Sequence, residues 1–156
     1  MNIGVISDTH GLVRAEALAF LEGSELILHA GDIGGANILD ALEQIAPVRA
    51  VRGNVDKGTW ANALPLDDVV EVNGKYLYMI HNIDELDLDP AGQFDAVVFG
   101  HSHQPHNQHN QGVLYFNPGS AGPRRFSLPI TVGRIILDAG ALKGEVVELE
   151  LPGTAR

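Results

Sequence analysis

The sequence predicts an α/β fold whose two halves follow different rules, a parallel-sheet half and then a half of successive strands with few helices between them. Two observations carry this. In the first third, short apolar runs that end in polar, glycine-bearing clusters alternate with segments of helical period, as crossover connections require. Beyond about Pro65, strand-like runs follow one another, and Asn73-Gly74 between two of them is a two-residue hairpin signal.

Taken in order, Asn2 to Ile6 is an apolar run that stops at Ser7-Asp8-Thr9-His10-Gly11, a buried strand running into a loop. Ala15 to Leu21 has helical spacing, closed by Gly23. Leu26 to His29 is a second strand, broken by Gly31-Asp32-Ile33-Gly34-Gly35. Ala36 to Ile45 is helical by period and closed by Pro47; Val48 to Val51 then forms a third strand ending at Gly53-Asn54. Ligands of such sheets gather at the carboxyl ends of the strands, where Asp8, His10, Asp32 and Asn54 fall.

In the second half, Val69 to Val72 and Tyr76 to Ile80 flank the hairpin turn. Ala96 to Phe99 ends at Gly100-His101-Ser102-His103, and Val113 to Phe116 ends at Asn117-Pro118-Gly119-Ser120. Gln104 to Gln111 reads as a polar loop, so His106 and His109 are expected to be solvated, with substrate contact or leaving-group protonation as the alternative. Ile130 to Leu137 and Glu145 to Leu151 form a last hairpin through Ala139 to Gly144. Trp60, Leu64 and Pro65 read as the anchor of the loop between the halves.

The length of 156 residues suits one domain over 1–156, expected to fold throughout except for the tail around Pro152 to Arg156. A formal net charge of −10 repels nucleic acid and anionic lipid unless cations reverse the local field inside a cleft. Nucleic acid is therefore not the expected partner. With no cysteine, disulfides, thiolate metal sites and a Cys nucleophile are excluded. No leader pattern or bilayer-length apolar run is read, so the expected location is the cytoplasm, with no membrane partner. The oligomeric state is not legible. Ser7 and Ser120 lack a nucleophile elbow, and no glycine-rich Lys-Ser/Thr phosphate loop exists.

The chemistry concentrates in cassettes at strand ends. Asp8, Asp32, His10, His81, His101, His103 and Asn54 together offer hard oxygen and borderline nitrogen donors, a mixture suited to Mn²⁺, Fe or Zn²⁺. In Asp8-x-His10 and His101-x-His103 an extended backbone would point both side chains to one side. Seven donors exceed one tetrahedral site and suit two ions sharing a carboxylate, roughly 3.5–4 Å apart. The glycines preceding Asp32, Asn54 and His101 fit sharp turns that present these ligands. His29, inside an apolar strand, reads as a buried structural residue.

The ordered set Asp-x-His, Gly-Asp, Gly-Asn, His and Gly-His-x-His resembles the calcineurin-like metallophosphoesterase superfamily, and the short length with Asn117-Pro118-Gly119-Ser120 resembles its small YfcE/Vps29-like phosphodiesterase branch. The resemblance implies a four-layer sandwich of two mixed β-sheets flanked by helices. It implies a metal-dependent phosphoesterase acting on a small phosphodiester or phosphomonoester, with the diester favoured, through a hydroxide between two divalent metals. One metal would be held by Asp8, His10, Asp32 and His103, and the other by Asp32, Asn54, His81 and His101, with Asp32 bridging. Mn²⁺ is the expected ion, with Fe, Zn²⁺ or Ni²⁺ as alternatives. Asp8, His10, Asp32 and Asn54 are the expected catalytic residues.

Two departures stand out. Many superfamily members carry His directly after Gly-Asn, where this chain has Val55, so the acid that would protonate a leaving group is not identified. His81-Asn82-Ile83 stands where the branch often has His-Gly-His, and bears on the second metal's geometry. Arg124 and Arg125 are candidate substrate-binding residues through their fork of donors. The rival reading from the same resemblance is a protein-binding scaffold of the Vps29 type with weak or no catalysis.

Overall fold

A computed structural model of the protein describes residues 1–151; the expectation for the tail, 152–156, lies outside them. β1 (Asn2–Ile6), β2 (Leu26–His29) and β3 (Val48–Ala50) are parallel neighbours, with Ile3 opposite Leu26 and Ile27 opposite Val48. The crossovers are α1 (Ala15–Leu21) and α2 (Ala36–Glu43). A four-residue helix, α3 (Thr59–Asn62), follows, with Trp60 and Leu64 packed against the helical side of the core. The loop between the halves is thus anchored as read.

β4 (Asp67–Val72) and β5 (Lys75–Ile80) form the hairpin around Asn73-Gly74. β6 (Ala96–Val98), β7 (His106–Asn110) and β8 (Val113–Asn117) complete one five-stranded sheet in the order β4-β5-β6-β8-β7. β9 (Thr131–Asp138) and β10 (Ala141–Glu148) return to the first sheet, giving β10-β9-β1-β2-β3. Both sheets are mixed, because β9 runs antiparallel to β1 while β5, β6 and β8 are mutually parallel.

The main core lies between the sheets: Ile3, Val5, Leu28, Met79, Leu114 and Phe116 belong to one buried cluster. On the other face of the first sheet, Ile6 and Ile27 pack with Leu21 of α1 and Ile38 and Leu42 of α2. The outer face of the second sheet, through Tyr78, Ile80, Val97 and Phe99, is covered by Ile83, Leu86, Leu88 and Phe94 of a segment whose regular structure is one 3₁₀ turn at Ile83–Glu85. The helices therefore flank the first sheet, and an apolar loop covers the second.

Two expectations need correction. Gln104 to Gln111 is not a free loop, because His106–Asn110 pairs antiparallel with Val113–Asn117. All five residues of β7 are exposed, so no apolar alternation signals the strand. The last hairpin turns at Ala139-Gly140, both at positive φ (53° and 78°), and β10 starts at Ala141 rather than Glu145. β7 lies beside β10, where Asn107 Nδ2 donates to Gly144 O at 2.9 Å and His109 Nε2 donates to Leu142 O at 3.1 Å. These side chains occupy carbonyls on the edge of the other sheet, which would otherwise invite a further strand.

Candidate metal centre

The strand ends are tied together before any side chain is considered. Asp8 N donates to Gly31 O, His10 N to Asp32 O, Ala121 N to Ser7 O and Gly100 N to His81 O, all between 2.9 and 3.1 Å. Five segments far apart in sequence are thereby drawn into two groups, 7–10 with 31–32 and 121, and 81 with 100, which the bond from His101 N to Asp8 joins into one rim.

Asp8, fully buried, sits at the centre of that rim. Its Oδ2 accepts hydrogen bonds from Ser7 Oγ at 2.8 Å and His101 N at 3.1 Å. Its Oδ1 has no hydrogen-bond partner and lies 3.6 Å from His103 Nε2, 3.9 Å from His10 Nε2 and 4.0 Å from His81 Nε2. Asp32 repeats the arrangement: Oδ1 accepts from Val55 N at 3.1 Å, while Oδ2 faces His81 Nε2 at 3.2 Å and His10 Nε2 at 3.6 Å. Each carboxylate is held by one oxygen and offers the other to a cluster of imidazole nitrogens.

The imidazoles are oriented as well. His81 Nδ1 donates to Ala30 O at 2.7 Å, which turns Nε2 toward the carboxylates, where it carries a proton or, once that proton is displaced, a lone pair for a cation. Asn82, beside it, caps the 3₁₀ turn by accepting from Asp84 N at 3.0 Å. The departure from His-Gly-His thus leaves His81 seated.

Two overlapping groups have ligand atoms within 4.8 Å of one another: Asp8 with His10 and His103, and Asp8 with Asp32 and His81. His101 is exposed at the rim, its ring edge-on to His81 with centroids 5.3 Å apart. Asn54 is exposed and lines a cavity of about 510 Å³ with His81. Arg124 and Arg125 line a separate cavity of about 280 Å³ with His10 and His103.

Backbone strain is concentrated here. Asp8, His10, Asp32, His101 and His103 all have positive φ, between 48° and 74°. The Asp-x-His and His-x-His cassettes are therefore turns and not extended segments as expected; left-handed backbone at non-glycine residues persists only where the surroundings over-determine it. The neighbouring glycines are needed mainly for another reason. Gly31 does turn, at φ +105°, but Gly53 and Gly100 do not have positive φ. A Cβ at Gly53 would lie 2.2 Å from Asp32 N and Oδ1, and one at Gly100 would lie 2.2 Å from Ser7 Oγ and 2.8 Å from Asp8 Oδ2. Each of these two glycines is a gap into which a carboxylate from another strand end fits.

Asp56 had escaped the sequence reading. It is buried, and it accepts from Ile33 N, Gly34 N and Gly53 N at 2.8–3.0 Å, fastening the Asp32 loop to the Asn54 loop. The available signal was a carboxylate two residues past Gly-Asn. Thr9 and His29 brace the cluster from behind. Gly31 N donates to His29 Nδ1 at 3.1 Å, His29 Nε2–H reaches Thr9 Oγ1 at 3.0 Å, and that hydroxyl donates to Ile33 O at 2.7 Å. His29 is fully buried and structural, as expected. Asn117 Nδ2 donates to Gly100 O and Ser120 Oγ to Asp8 O, so the Asn-Pro-Gly-Ser turn supports the rim.

Electrostatics record the tension of the cluster. Burial pushes the Asp8 carboxyl up to about 6, against the charge of His81 and the hydrogen bond from Ser7. Burial acts on Asp32 the same way but is outweighed by the His81 hydrogen bond and charge, leaving it at about 2. His81 is raised: burial opposes its protonation, and the bond and charge of Asp32 overcome it. Burial, together with the charge of Arg125, lowers His103 to about 4.

The residues present fit bound divalent cations. Asp8 Oδ1 and His10 Nε2 are buried polar atoms without a hydrogen-bond partner, and they face each other at 3.9 Å. Buried polar atoms left unsatisfied are destabilising, and a cation satisfies carboxylate oxygens and imidazole lone pairs at once.

Two mixed sheets that deliver carboxylates and imidazoles from their strand ends to one rim make a metallophosphoesterase fold. The chain belongs to the calcineurin-like phosphoesterase superfamily, whose domain matches residues 1–140. It is 32% identical to a probable metallophosphoesterase of Methanothermobacter thermautotrophicus, over 97% of this chain and 95% of that one. It is 26% identical to a phosphodiesterase of Methanocaldococcus jannaschii, over 96% of this chain and all of the other. Among solved structures, an archaeal phosphodiesterase superposes with a TM-score of 0.76 at 22% identity, covering 94% of this chain and 100% of that one. Vps29 of Chaetomium thermophilum superposes with a TM-score of 0.73 at 20% identity, covering 96% and 97%. At those identities the two structures share the fold.

Proposed function

We propose that this protein is a phosphodiesterase that works with two divalent cations, Mn²⁺ favoured. The observation that carries the reading is the division of labour within Asp8 and Asp32: one oxygen of each is fixed by protein donors, and the other is offered to imidazole nitrogens. Asp8, His10, Asp32 and His103 would hold one cation; Asp32, Asn54, His81 and His101 would hold the other, with Asp32 shared. When bound, such a pair supplies Lewis acidity toward the phosphoryl oxygens and an acidified water for in-line attack.

The chain's own residues contribute orientation and charge. Ala30 O fixes the His81 tautomer, Ser7 and the His101 N–H fix Asp8, and Val55 N–H fixes Asp32. Asp8 and Asp32 supply negative charge where the cations would be held. At the rim, Val55 is 48% exposed and offers no proton, which favours esters whose leaving group departs as a stable anion. The named phosphodiesterase relative supports the diester assignment.

The test is metal content by mass spectrometry together with hydrolysis of bis(4-nitrophenyl) phosphate in Mn²⁺. Two equivalents of metal and Mn²⁺-dependent turnover support the reading. Tight metal without turnover on any diester would favour the scaffold reading instead.

A further inference from the structure

The metal cluster is bordered by two cavities of opposite character that share no lining residue. The larger, about 510 Å³, meets the cluster through His81 and Asn54; its walls are Leu66 and Ile80, with Arg52, Asp67 and Glu85 among its charged groups. The smaller, about 280 Å³, meets it through His10 and His103 and is closed by Pro123, Arg124 and Arg125. One cavity carries a net charge of one negative, the other of two positive from its arginines. Arg124 Nη1 donates to Leu128 O at 3.1 Å, which steadies it, while the Arg125 guanidinium has no hydrogen-bond or ion-pair partner among the described residues. In a chain of net charge −10, two adjacent arginines beside the metal-binding histidines are a local reversal of the field.

A plain diester carries a single negative charge. Two divalent cations set against Asp8 and Asp32 already exceed it, so neutralising the scissile group leaves the arginines without a task. We propose that the substrate is an unsymmetrical phosphodiester: an arm bearing a second anionic group, phosphate or carboxylate, lies against Arg124 and Arg125, and an uncharged arm lies in the larger cavity against Leu66 and Ile80. This rests on the phosphodiesterase reading above. Guanidinium groups bind such anions through paired donors.

The experiment uses the Mn²⁺-loaded full chain and two chromogenic probes, the 4-nitrophenyl ester of thymidine 5′-phosphate and the same ester phosphorylated on its 3′ oxygen. The proposal expects kcat/KM at least about tenfold higher for the 3′-phosphorylated ester, chiefly through KM, and loss of that preference in the Arg124→Ala/Arg125→Ala variant. Calorimetric binding of thymidine 3′,5′-bisphosphate against thymidine 5′-phosphate provides a second measurement without turnover. There the native protein should favour the bisphosphate about tenfold and the variant should not. Equal treatment of the two probes by the native protein, or a preference that survives in the variant, overturns the proposal. Absence of turnover on both esters would sink the phosphodiesterase reading, and the binding comparison still decides the arginine subsite.

Discussion

Asp32 Oδ2 lies 3.2 Å from His81 Nε2, a contact that a proton holds together in the metal-free protein and that a cation must replace. His81 is raised by this contact, and Asp8 titrates at about 6 because it is buried. At a pH below its own titration range each group holds a proton that a metal ion has to expel. Apparent Mn²⁺ affinity should therefore rise with pH through about 6 and on through the raised His81 range, roughly tenfold per pH unit for each proton displaced. Calorimetry in buffers of different ionisation enthalpy measures the protons released. The Asp8 sign runs the same way: its folded value lies above its unfolded one, so in the metal-free protein its ionisation opposes folding above about 6, and this penalty is absent below about 3.8. Chelation should destabilise the protein more at pH 7.5 than at pH 5.

Gly53 and Gly100 should tolerate no side chain. Gly53→Ala places a methyl on Asp32, and Gly100→Ala places one on Ser7 and Asp8. Each variant is expected to lose metal affinity by at least about tenfold, with a stability loss of about 1–3 kcal/mol. Gly112→Ala is the control for backbone alone, having positive φ but open space around it. Metal titration and thermal melts check all three, and undiminished metal affinity in Gly53→Ala would break the argument.

His29 should make the protein acid-sensitive. Burial holds its imidazole at about 3 when folded, against 6.5 ordinarily, so between those values the unfolded chain binds a proton that the native state refuses. Its contribution to stability is present above about 6.5 and is lost as pH falls toward 3. In chelated protein, His29→Gln should flatten the stability-versus-pH curve over that window by roughly 1.4 kcal/mol per pH unit relative to the native chain. Urea melts at several pH values give both slopes.

Val55 should set the choice of leaving group. Aryl diesters are expected to be cleaved far faster than alkyl esters, and Val55→His should raise the alkyl rate by about 10–100-fold while changing the aryl rate much less. Steady-state kinetics on matched aryl and alkyl substrates measure the ratio. Faster cleavage of alkyl phosphates than of aryl diesters by the native protein would contradict the role given to this position.

The convergence of Asp8, His10, Asp32, His81 and His103 was legible because strand ends and polar cassettes coincide, whereas Asn54 and His101 are exposed and stand outside the two ligand groups. What was not legible has a common cause. β7 is all polar, and its existence depends on the neighbour it pairs with, Val113–Asn117. Asp56 looks like any loop carboxylate until three backbone N–H groups from two loops converge on it. The positive φ of Asp8, His10 and His103 and the true reason for Gly53 and Gly100 are likewise consequences of close approach between distant segments. Local patterning carries no information about those distances.

The proposed sharing of Asp32 between two cations is the centre of the account, and the number of Mn²⁺ ions bound by three forms of the protein tests it most directly. Native mass spectrometry should find two ions in the native chain, one in His103→Ala, and none in Asp32→Ala, with circular dichroism unchanged in all three. Two ions retained by Asp32→Ala, or a native chain that saturates at one, would contradict it.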